Sequence, residues 1–170
     1  ATCEAVIQRF AGHIAQYLGD GVLVYYGYPQ AHEDSAHRAV RTGLGIVEGL
    51  GPLNARLEPT YGIRLAVRMG IHTGLVVVGE MGGSGREEHL ALGAPPTIAA
   101  RLQGLAAPNT VVISAASYQL VQGYFVCEPL GLHPLQGVAD PLTVYRVLRE
   151  SGAASRLDVA QPRGLTPLVG

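Results

Sequence analysis

Lysine and tryptophan are absent from this 170-residue sequence, and phenylalanine and cysteine occur only twice each. All twelve basic residues are therefore arginines, and thirteen aspartates and glutamates bring the formal net charge to -1. A chain without a basic excess lacks the positive surface that nucleic-acid binding requires, so we expect no nucleic-acid partner. The absence of lysine matters for any phosphate site, because lysine and arginine are not interchangeable there.

The cysteines and the apolar runs exclude further classes of protein. Cys3 and Cys127 are too few for a disulfide framework and do not have zinc-ligand spacing, which fits a reducing compartment. No apolar run reaches the roughly 20 residues that span a bilayer, and no signal peptide opens the sequence. We therefore expect no membrane segment and a cytoplasmic location. The length suits one domain with a core of its own.

Apolar periodicity and turn residues predict helices and strands in mixed order. Helices are predicted at 1–10, at 36–47 with a break at Gly51-Pro52, at 95–104 and at 115–122. Strands are predicted at 14–18, 22–26, 63–71, 75–78, 110–113, 124–128 and 142–148. This order indicates an α+β fold with helices on one face of a sheet. We expect residues 1–150 to form the domain, and residues 151–170, rich in Gly, Ala, Ser and Pro, to form a linker.

Gly19-Asp20-Gly21 joins two β-rich arms and predicts a hairpin with a carboxylate at its tip. A carboxylate fixed by strands on both sides can hold a divalent cation better than one on a mobile loop. Aspartate is also a common turn residue that binds nothing. This stretch alone favours the simpler interpretation.

The segment 80–88 is Gly-rich and polar, which predicts a loop. Its position just before a predicted helix makes it a candidate phosphate neighbour. Gly82-Gly83-Ser84-Gly85 lacks the Gly-Lys-Ser/Thr of a P-loop, so that nucleotide-binding motif is excluded.

The histidines give weaker signals. His32 and His37, near Glu33 and Asp34, are five residues apart, or about 140° round a helix, whereas a zinc pair needs a spacing of four. We therefore expect no metal at that cluster. His72 lies where a predicted strand turns, and we interpret it as a hydrogen-bonded structural histidine rather than a catalytic base.

Three motifs follow one another in an order that resembles a known family. They are Gly19-Asp20-Gly21, then Arg68-Met69-Gly70-Ile71-His72-Thr73-Gly74, then Leu92-Gly93-Ala94-Pro95-Pro96-Thr97-Ile98-Ala99-Ala100-Arg101-Leu102. Their order and spacing resemble class III adenylate and guanylate cyclase catalytic domains, over roughly Ala1 to Leu148. The resemblance implies a ferredoxin-like core with extra strands. It also implies conversion of ATP or GTP to the 3′,5′-cyclic monophosphate and pyrophosphate in a bacterial-type signalling protein.

The resemblance implies a two-metal site for Mg²⁺ or Mn²⁺. In the family the metals lie between two aspartates, one on the first strand and one at the hairpin tip. Asp20 matches the second aspartate, and no residue of this sequence matches the first. The resemblance therefore implies that the sequence begins after that first strand. We expect this chain alone to show no appreciable cyclase activity.

Two helix residues match the family's transition-state pair of an asparagine and an arginine. Thr97 and Arg101 are four residues apart, which places both on one face of a helix. By resemblance, Arg101 stabilises the oxyanion that develops on phosphorus, and Thr97, shorter than asparagine, donates one hydrogen bond to the ribose. We expect Ile98, Leu102 and Leu105 to face the core.

Four further positions match nucleotide contacts of the family. Gln16 and Leu90 occupy the positions that read the base; glutamine can hydrogen-bond a purine edge and leucine can only pack on it, so adenine and guanine are weakly distinguished. Gln136, in Leu135-Gln136-Gly137-Val138, replaces a lysine that contacts the terminal phosphates. Arg86 in the Gly-rich loop is a candidate substitute for that lysine.

The family's active form is a head-to-tail homodimer in which each site is shared between subunits, so the resemblance implies a homodimer here. The hairpin aspartate of one subunit faces the helix pair of the other. The last eight residues, 163–170, also resemble the approach to an ATPase module that follows such domains in some bacterial signalling proteins.

Two alternatives stay open. Gln16, Leu90, Thr97 and Gln136 all depart from the family's residues, which favours a catalytically inactive cyclase-homology module acting in dimerisation or nucleotide sensing. An unrelated ferredoxin-like binding domain would account for the order of helices and strands but not for the three motifs.

Overall fold

The computed structural model describes residues 2–18, 21–28, 33–74, 77–81, 88–92, 94–138 and 140–151. Four helices and eight strands lie within these ranges. In chain order they are α1 Thr2–Arg9, β1 His13–Leu18, β2 Gly21–Tyr25, α2 Ser35–Tyr61, β3 Arg68–Ile71, β4 Val77–Met81, β5 Glu88–Leu92, α3 Ala94–Leu105, β6 Thr110–Ser114, α4 Ala115–Val121, β7 Phe125–His133 and β8 Leu142–Glu150.

A four-stranded sheet in the order β3-β6-β8-β7 forms the centre of the fold. β3 and β6 are parallel, while β8 pairs antiparallel with both β6 and β7. Two antiparallel pairs, β1 with β2 and β4 with β5, complete the described strands. The predicted mixed α+β class is confirmed.

Different helices cover the two faces of this sheet. Val111 and Ile113 of β6 pack in one cluster with residues of α2 and α4, whereas Val112 packs with residues of α3. The prediction that the helices share one face is therefore wrong for α3. The physical reason is that every residue of β6 is buried, and an apolar strand without alternation needs cover on both faces.

The predicted hairpin is present in the pairing of β1 with β2, where Leu18 lies opposite Gly21. Gly19 and Asp20, between these two residues, lie outside the described part of the chain. The position of Asp20 at a hairpin tip therefore stays a prediction.

The hairpin has one packed pair and one exposed pair of apolar residues. Ile14 and Val24 lie opposite each other and pack against the cluster that includes Val6 of α1. Tyr17 and Val22 are also opposite, and their exposed fractions are 64% and 40%. Tyr17 and Val22 are therefore exposed enough to contact another protein surface.

Helix α2 continues through Gly51-Pro52, where a break was predicted. Pro52 removes one backbone hydrogen bond from the helix interior, so other contacts must compensate. Leu50 and Asn54 on either side are buried, and the Asn54 side chain makes two hydrogen bonds to the backbone of Leu65, at 2.9 and 2.7 Å. The prediction of a break is wrong because this packing outweighs the local preference.

Strand β3 is shorter than the predicted strand 63–71, because it pairs with β6 only from Arg68 onward. Ile63 and Leu65, ahead of β3, are 48% and 40% exposed. The backbone of Val67 is bonded to Asn109: its N–H donates to the Asn109 side chain at 3.1 Å, and its carbonyl accepts from the Asn109 N–H at 2.6 Å. The side chain and the backbone of Asn109 thus bond groups of Val67 that a neighbouring strand would otherwise bond.

The predicted strand 75–78 lies in the structure as β4, Val77–Met81, and its partner β5, Glu88–Leu92, was not predicted. β4 extends into the start of the predicted loop 80–88 and β5 begins at its end. Residues 82–87 lie outside the described ranges. β7 and β8 are also longer than predicted, reaching His133 and Glu150.

No helix in the described ranges has both the length and the apolar character needed to cross a bilayer. β8 ends at Glu150, and the N–H of Ser151 donates to the carbonyl of Tyr124 at 2.8 Å. Residues 152–170 are outside the description, so the division into a domain and a linker stays a prediction.

Candidate nucleotide site

Helix α3 presents two of the predicted site residues on one exposed face. Pro95 and Pro96 lie in its first turn, where proline is favoured. Ile98 and Leu102, one turn apart, are 8% and 0% exposed and anchor the helix in the core. Thr97 and Arg101, also one turn apart, are both exposed, as the sequence predicted.

Leu105 does not face the core as predicted, since 38% of it is exposed. It is the last residue of α3, and the chain leaves the helix immediately afterwards. Ala106 is instead the next buried residue, at 5% exposure. Because the helix ends at Leu105, the position that continues its buried face is taken by Ala106 beyond it.

Helix α3 lies directly on β3 because Gly70 has no side chain. A Cβ at Gly70 would come within 2.2 Å of the Ala99 carbonyl oxygen and 2.4 Å of the Gln103 nitrogen. Both are helix backbone atoms that cannot move independently. A Cβ at Gly74, in the segment that follows β3, would come within 2.9 Å of the Pro95 ring, so this segment lies against the first turn of α3.

A third predicted site residue meets α3 from the segment between β7 and β8. We call residues 134–138 of this segment the 134–138 loop. The Nε of Arg101 donates a hydrogen bond to the backbone carbonyl of Gln136 at 3.1 Å. Gly137, with φ at 84°, lies so close to Thr97 that a Cβ there would be 4.0 Å from the Thr97 methyl carbon. Thr97, Arg101 and Gln136 therefore occupy one exposed surface.

The charge of Arg101 is not neutralised within the part of the chain that the structure describes. The ion pairs found there join Arg38 to Asp34, Arg41 to Glu150, Arg64 to Glu58 and Arg146 to Glu128. Arg101 instead bonds a neutral carbonyl through Nε. Its positive charge can therefore act on an anionic ligand.

The remaining predicted contacts lie on other strands. Gln16 is a half-buried residue of β1 next to a register shift, and Leu90 lies on β5 opposite Gly79. β1 and β5 belong to different strand pairs but contact each other, so the two predicted base-reading positions come from strands that lie close together. Asp20 and Arg86 fall outside the described residues.

His72 has the structural role that the sequence predicted. Its Nδ1 is 2.7 Å from the hydroxyl oxygen of Ser114, the residue that caps α4 by accepting from the N–H of Ser117. Next to it, the hydroxyls of Thr73 and Ser117 are hydrogen-bonded at 2.8 Å. Burial lowers the pKa of His72, so the neutral ring is favoured. These bonds tie the end of β3 to the start of α4.

Of the acidic and histidine cluster at the start of α2, Glu33, Asp34 and His37 are described, and His32 lies outside the described ranges. Glu33, Asp34 and His37 line a shallow cleft with Tyr124, but Asp34 is paired with Arg38 at 2.8 Å. Across the described ranges, no three His, Cys, Asp or Glu side chains are grouped so that they could hold a metal ion.

Sequence reasoning missed two residues that shape the site, Leu135 and Gly137. Leu135 is 6% exposed and packs with Ile98 and Leu102, and Gly137 turns the backbone past Thr97. The signal was present in Leu135-Gln136-Gly137-Val138, where an apolar residue and a glycine flank the predicted phosphate contact. Periodicity could not predict that this segment folds back onto α3.

The family model of the adenylate and guanylate cyclase catalytic domain matches residues 4–149. The chain belongs to this family. Among curated proteins, adenylate cyclase 1 of Rhizobium meliloti is 30% identical over 145 residues, covering 84% of this cyclase-family chain and 22% of the relative. The chain thus spans about a fifth of that relative's length.

Solved cyclase structures share the fold. The adenylyl cyclase CyaB from P. aeruginosa aligns with a TM-score of 0.83 at 24% identity, over 90% of this chain and 80% of the other. The guanylate cyclase domain of RhGC from Catenaria anguillulae, in complex with GTP, aligns with a TM-score of 0.77 at 25% identity, over 88% of this chain and 79% of the other. The predicted cyclase fold is confirmed.

Proposed function

We propose that this nucleotide cyclase domain converts ATP or GTP to the 3′,5′-cyclic monophosphate and pyrophosphate. The observation that carries the proposal is the meeting of Thr97, Arg101 and Gln136 on one exposed surface, although Gln136 is 35 residues beyond Arg101. A phosphate-binding surface needs a charge that is fixed and not neutralised, and Arg101 meets both conditions among the described residues.

The reaction joins two atoms of the same nucleotide. The 3′ oxygen attacks the α-phosphorus and its proton passes to water, while the bond from that phosphorus to the bridging oxygen breaks and pyrophosphate leaves. Negative charge grows on the oxygens around the α-phosphorus, where the Arg101 guanidinium can stabilise it. Thr97, one turn earlier, would donate a hydrogen bond from its hydroxyl to the ribose and so orient the 3′ oxygen.

The other residues would bind the rest of the nucleotide. Gln16 and Leu90 would meet the base, Gln136 the terminal phosphates through its amide, and Arg86 those same phosphates as a cation. We propose Asp20 as one ligand of Mg²⁺ or Mn²⁺. When bound, such ions activate a hydroxyl and neutralise a leaving phosphate.

A head-to-tail homodimer would complete the site. Two features support it: Thr97 and Arg101 face outward, and the hairpin next to Asp20 carries the exposed pair Tyr17 and Val22. A large exposed aromatic paired with an apolar neighbour is a surface suited to burial against a protein. We place the domain in a cytoplasmic signalling protein of bacterial type.

An inactive module that binds nucleotide without turnover is the second candidate. Four residue types favour it. Gln136 lacks the charge of the family's lysine, Thr97 lacks the amide of the family's asparagine, and Gln16 and Leu90 also depart from the family's residues. Both candidates require a nucleotide site at Arg101, so turnover alone separates them.

Turnover would be tested in a version in which the first strand of a related cyclase, with its aspartate, precedes Ala1. Cyclic nucleotide would be measured from ATP and from GTP with Mg²⁺ or Mn²⁺. Arg101→Ala should lower turnover at least about a hundredfold, the usual size for a lost oxyanion donor. Arg56→Ala is the matched control, because Arg56 is also an exposed helix arginine but lies on α2, across the sheet from α3. Absence of product from the unaltered version, with nucleotide still bound, would favour the inactive module.

A further inference from the structure

The contact between Arg101 and the 134–138 loop is made by backbone rather than by the side chain of Gln136. We infer that this loop is a positioning element: the carbonyl of Gln136 fixes the Arg101 guanidinium so that its two terminal nitrogens face a nucleotide phosphate. The inference rests on the proposed function, because it names the task of a residue within the same site. The role belongs to Gly137 and to the backbone of Gln136, and not to the Gln136 side chain.

The loop is attached to the same core as the helix that carries Arg101. Leu135 is 6% exposed and packs with Ile98 and Leu102 of α3, while Val138 packs against the same cluster. The N–H of Val138 donates to the Leu135 carbonyl at 3.0 Å, which closes the loop into a turn. The carbonyl of Gln136 is thus held at a fixed position above α3, where it meets Arg101.

The geometry of arginine suits this arrangement. A guanidinium has five N–H donors in one plane, one on Nε and four on the two terminal nitrogens. The Nε hydrogen of Arg101 is used by the Gln136 carbonyl at 3.1 Å, which sets the direction of the plane and leaves the terminal fork for the two oxygens of a phosphate. A lysine has the charge but no second donor along its side chain, so it could not be held in this way.

Gly137 determines where the Gln136 carbonyl points. The carbonyl of Gln136 and the N–H of Gly137 belong to one peptide plane, and φ of Gly137 is +84°, a value that glycine tolerates and other residues avoid. Alanine at this position would relieve its strain by moving φ to a negative value. That change rotates the shared peptide plane and turns the carbonyl away from Arg101.

Gly131 provides a matched control. Its φ is +86°, and a Cβ there would meet nothing within 4 Å, so alanine introduces the same backbone strain in β7. Its preceding carbonyl belongs to Leu130 and accepts from the His133 ring at 3.0 Å. Gly131→Ala therefore strains the segment that leads into the loop without rotating the Gln136 carbonyl.

The test measures Arg101 directly by NMR on the chain, with ATP as the probe ligand. The Nε–H signal of Arg101 is assigned by its loss in Arg101→Lys, and its exchange with water is compared with that of Arg56, an exposed arginine of α2. We expect slow exchange in the unaltered chain, in Gln136→Ala and in Gly131→Ala, and fast exchange in Gly137→Ala. ATP affinity, followed by titration, should fall roughly five- to tenfold in Gly137→Ala, the size expected for one lost hydrogen bond.

The outcomes separate this inference from the function on which it rests. Equal Nε–H exchange in Gly137→Ala and the unaltered chain would overturn the role of the loop. Fast exchange with unchanged ATP affinity would overturn its role in phosphate binding. If the unaltered chain bound no ATP at millimolar concentration, the proposed function would fail with the ligand named here, and the exchange result would still decide whether the loop holds Arg101.

Discussion

Gly70→Ala should destabilise the fold by displacing α3, the helix that carries Thr97 and Arg101. The added Cβ would be 2.2 Å from the Ala99 oxygen and 2.4 Å from the Gln103 nitrogen, where ordinary contact begins near 3.4 Å. The helix must therefore move by about 1 Å, and Leu102, which is fully buried, must move with it. Overpacking of this kind costs roughly 3 kcal/mol, at the upper end of the usual range.

The free energy of unfolding would be measured in urea by circular dichroism, with the thermal midpoint as a second readout. A loss of about 3 kcal/mol corresponds to a fall in the midpoint of roughly 6–12 °C for a chain of this size. Gly104→Ala in α3 is the control, because a Cβ at Gly104 would meet nothing within 4 Å, and alanine should stabilise the helix by up to about 1 kcal/mol. A change of less than about 0.5 kcal/mol in Gly70→Ala would refute the close packing of α3 on β3.

Two further predictions concern residues outside the proposed site. Asn54→Ala should lower the free energy of unfolding by about 2 kcal/mol, because two hydrogen bonds to the half-exposed Leu65 backbone are lost; a urea titration showing no loss would mean that these bonds do not hold α2 past Pro52. Burial lowers the pKa of His72 from its ordinary value of 6.5, so the unfolded state binds the proton more readily and stability falls as the pH drops below about 6.5. His72→Asn should weaken this fall between pH 7 and 5, and an identical pH dependence in both proteins would contradict the assignment.

The sequence predicted what depends on local periodicity and on motif spacing. α3 was predicted with Ile98 and Leu102 inside and Thr97 and Arg101 outside, and the hairpin of β1 with β2 was predicted from Gly19-Asp20-Gly21. These follow from contacts within one element or between neighbours in the chain. Asp20 itself lies outside the described residues, so its place in the site stays a prediction.

What the sequence could not predict depends on contacts between distant segments. Pro52 ends a helix by local rules, but Asn54 bonds Leu65 and holds α2 together. The apolar run in β6 indicates a strand buried on both faces, but periodicity could not show that α3 is the helix that covers the second face. The bond from Arg101 to Gln136 joins segments 35 residues apart, and only the resemblance to cyclases associated them.

The proposed shared site would be tested most directly with mixed dimers, in a version that carries the family's first-strand aspartate as well as Asp20. Asp20→Ala and Arg101→Ala should each strongly reduce turnover, because one removes the proposed metal ligand and the other the proposed cation at the reacting phosphate. In a head-to-tail heterodimer of the two variants, one site loses both groups and the other keeps both. Equal amounts would be mixed, allowed to exchange subunits, and assayed for cyclic nucleotide. We predict that activity returns, up to half that of the unaltered protein per heterodimer; if exchange is demonstrated and the mixture stays as inactive as either variant, Asp20 and Arg101 do not act across an interface.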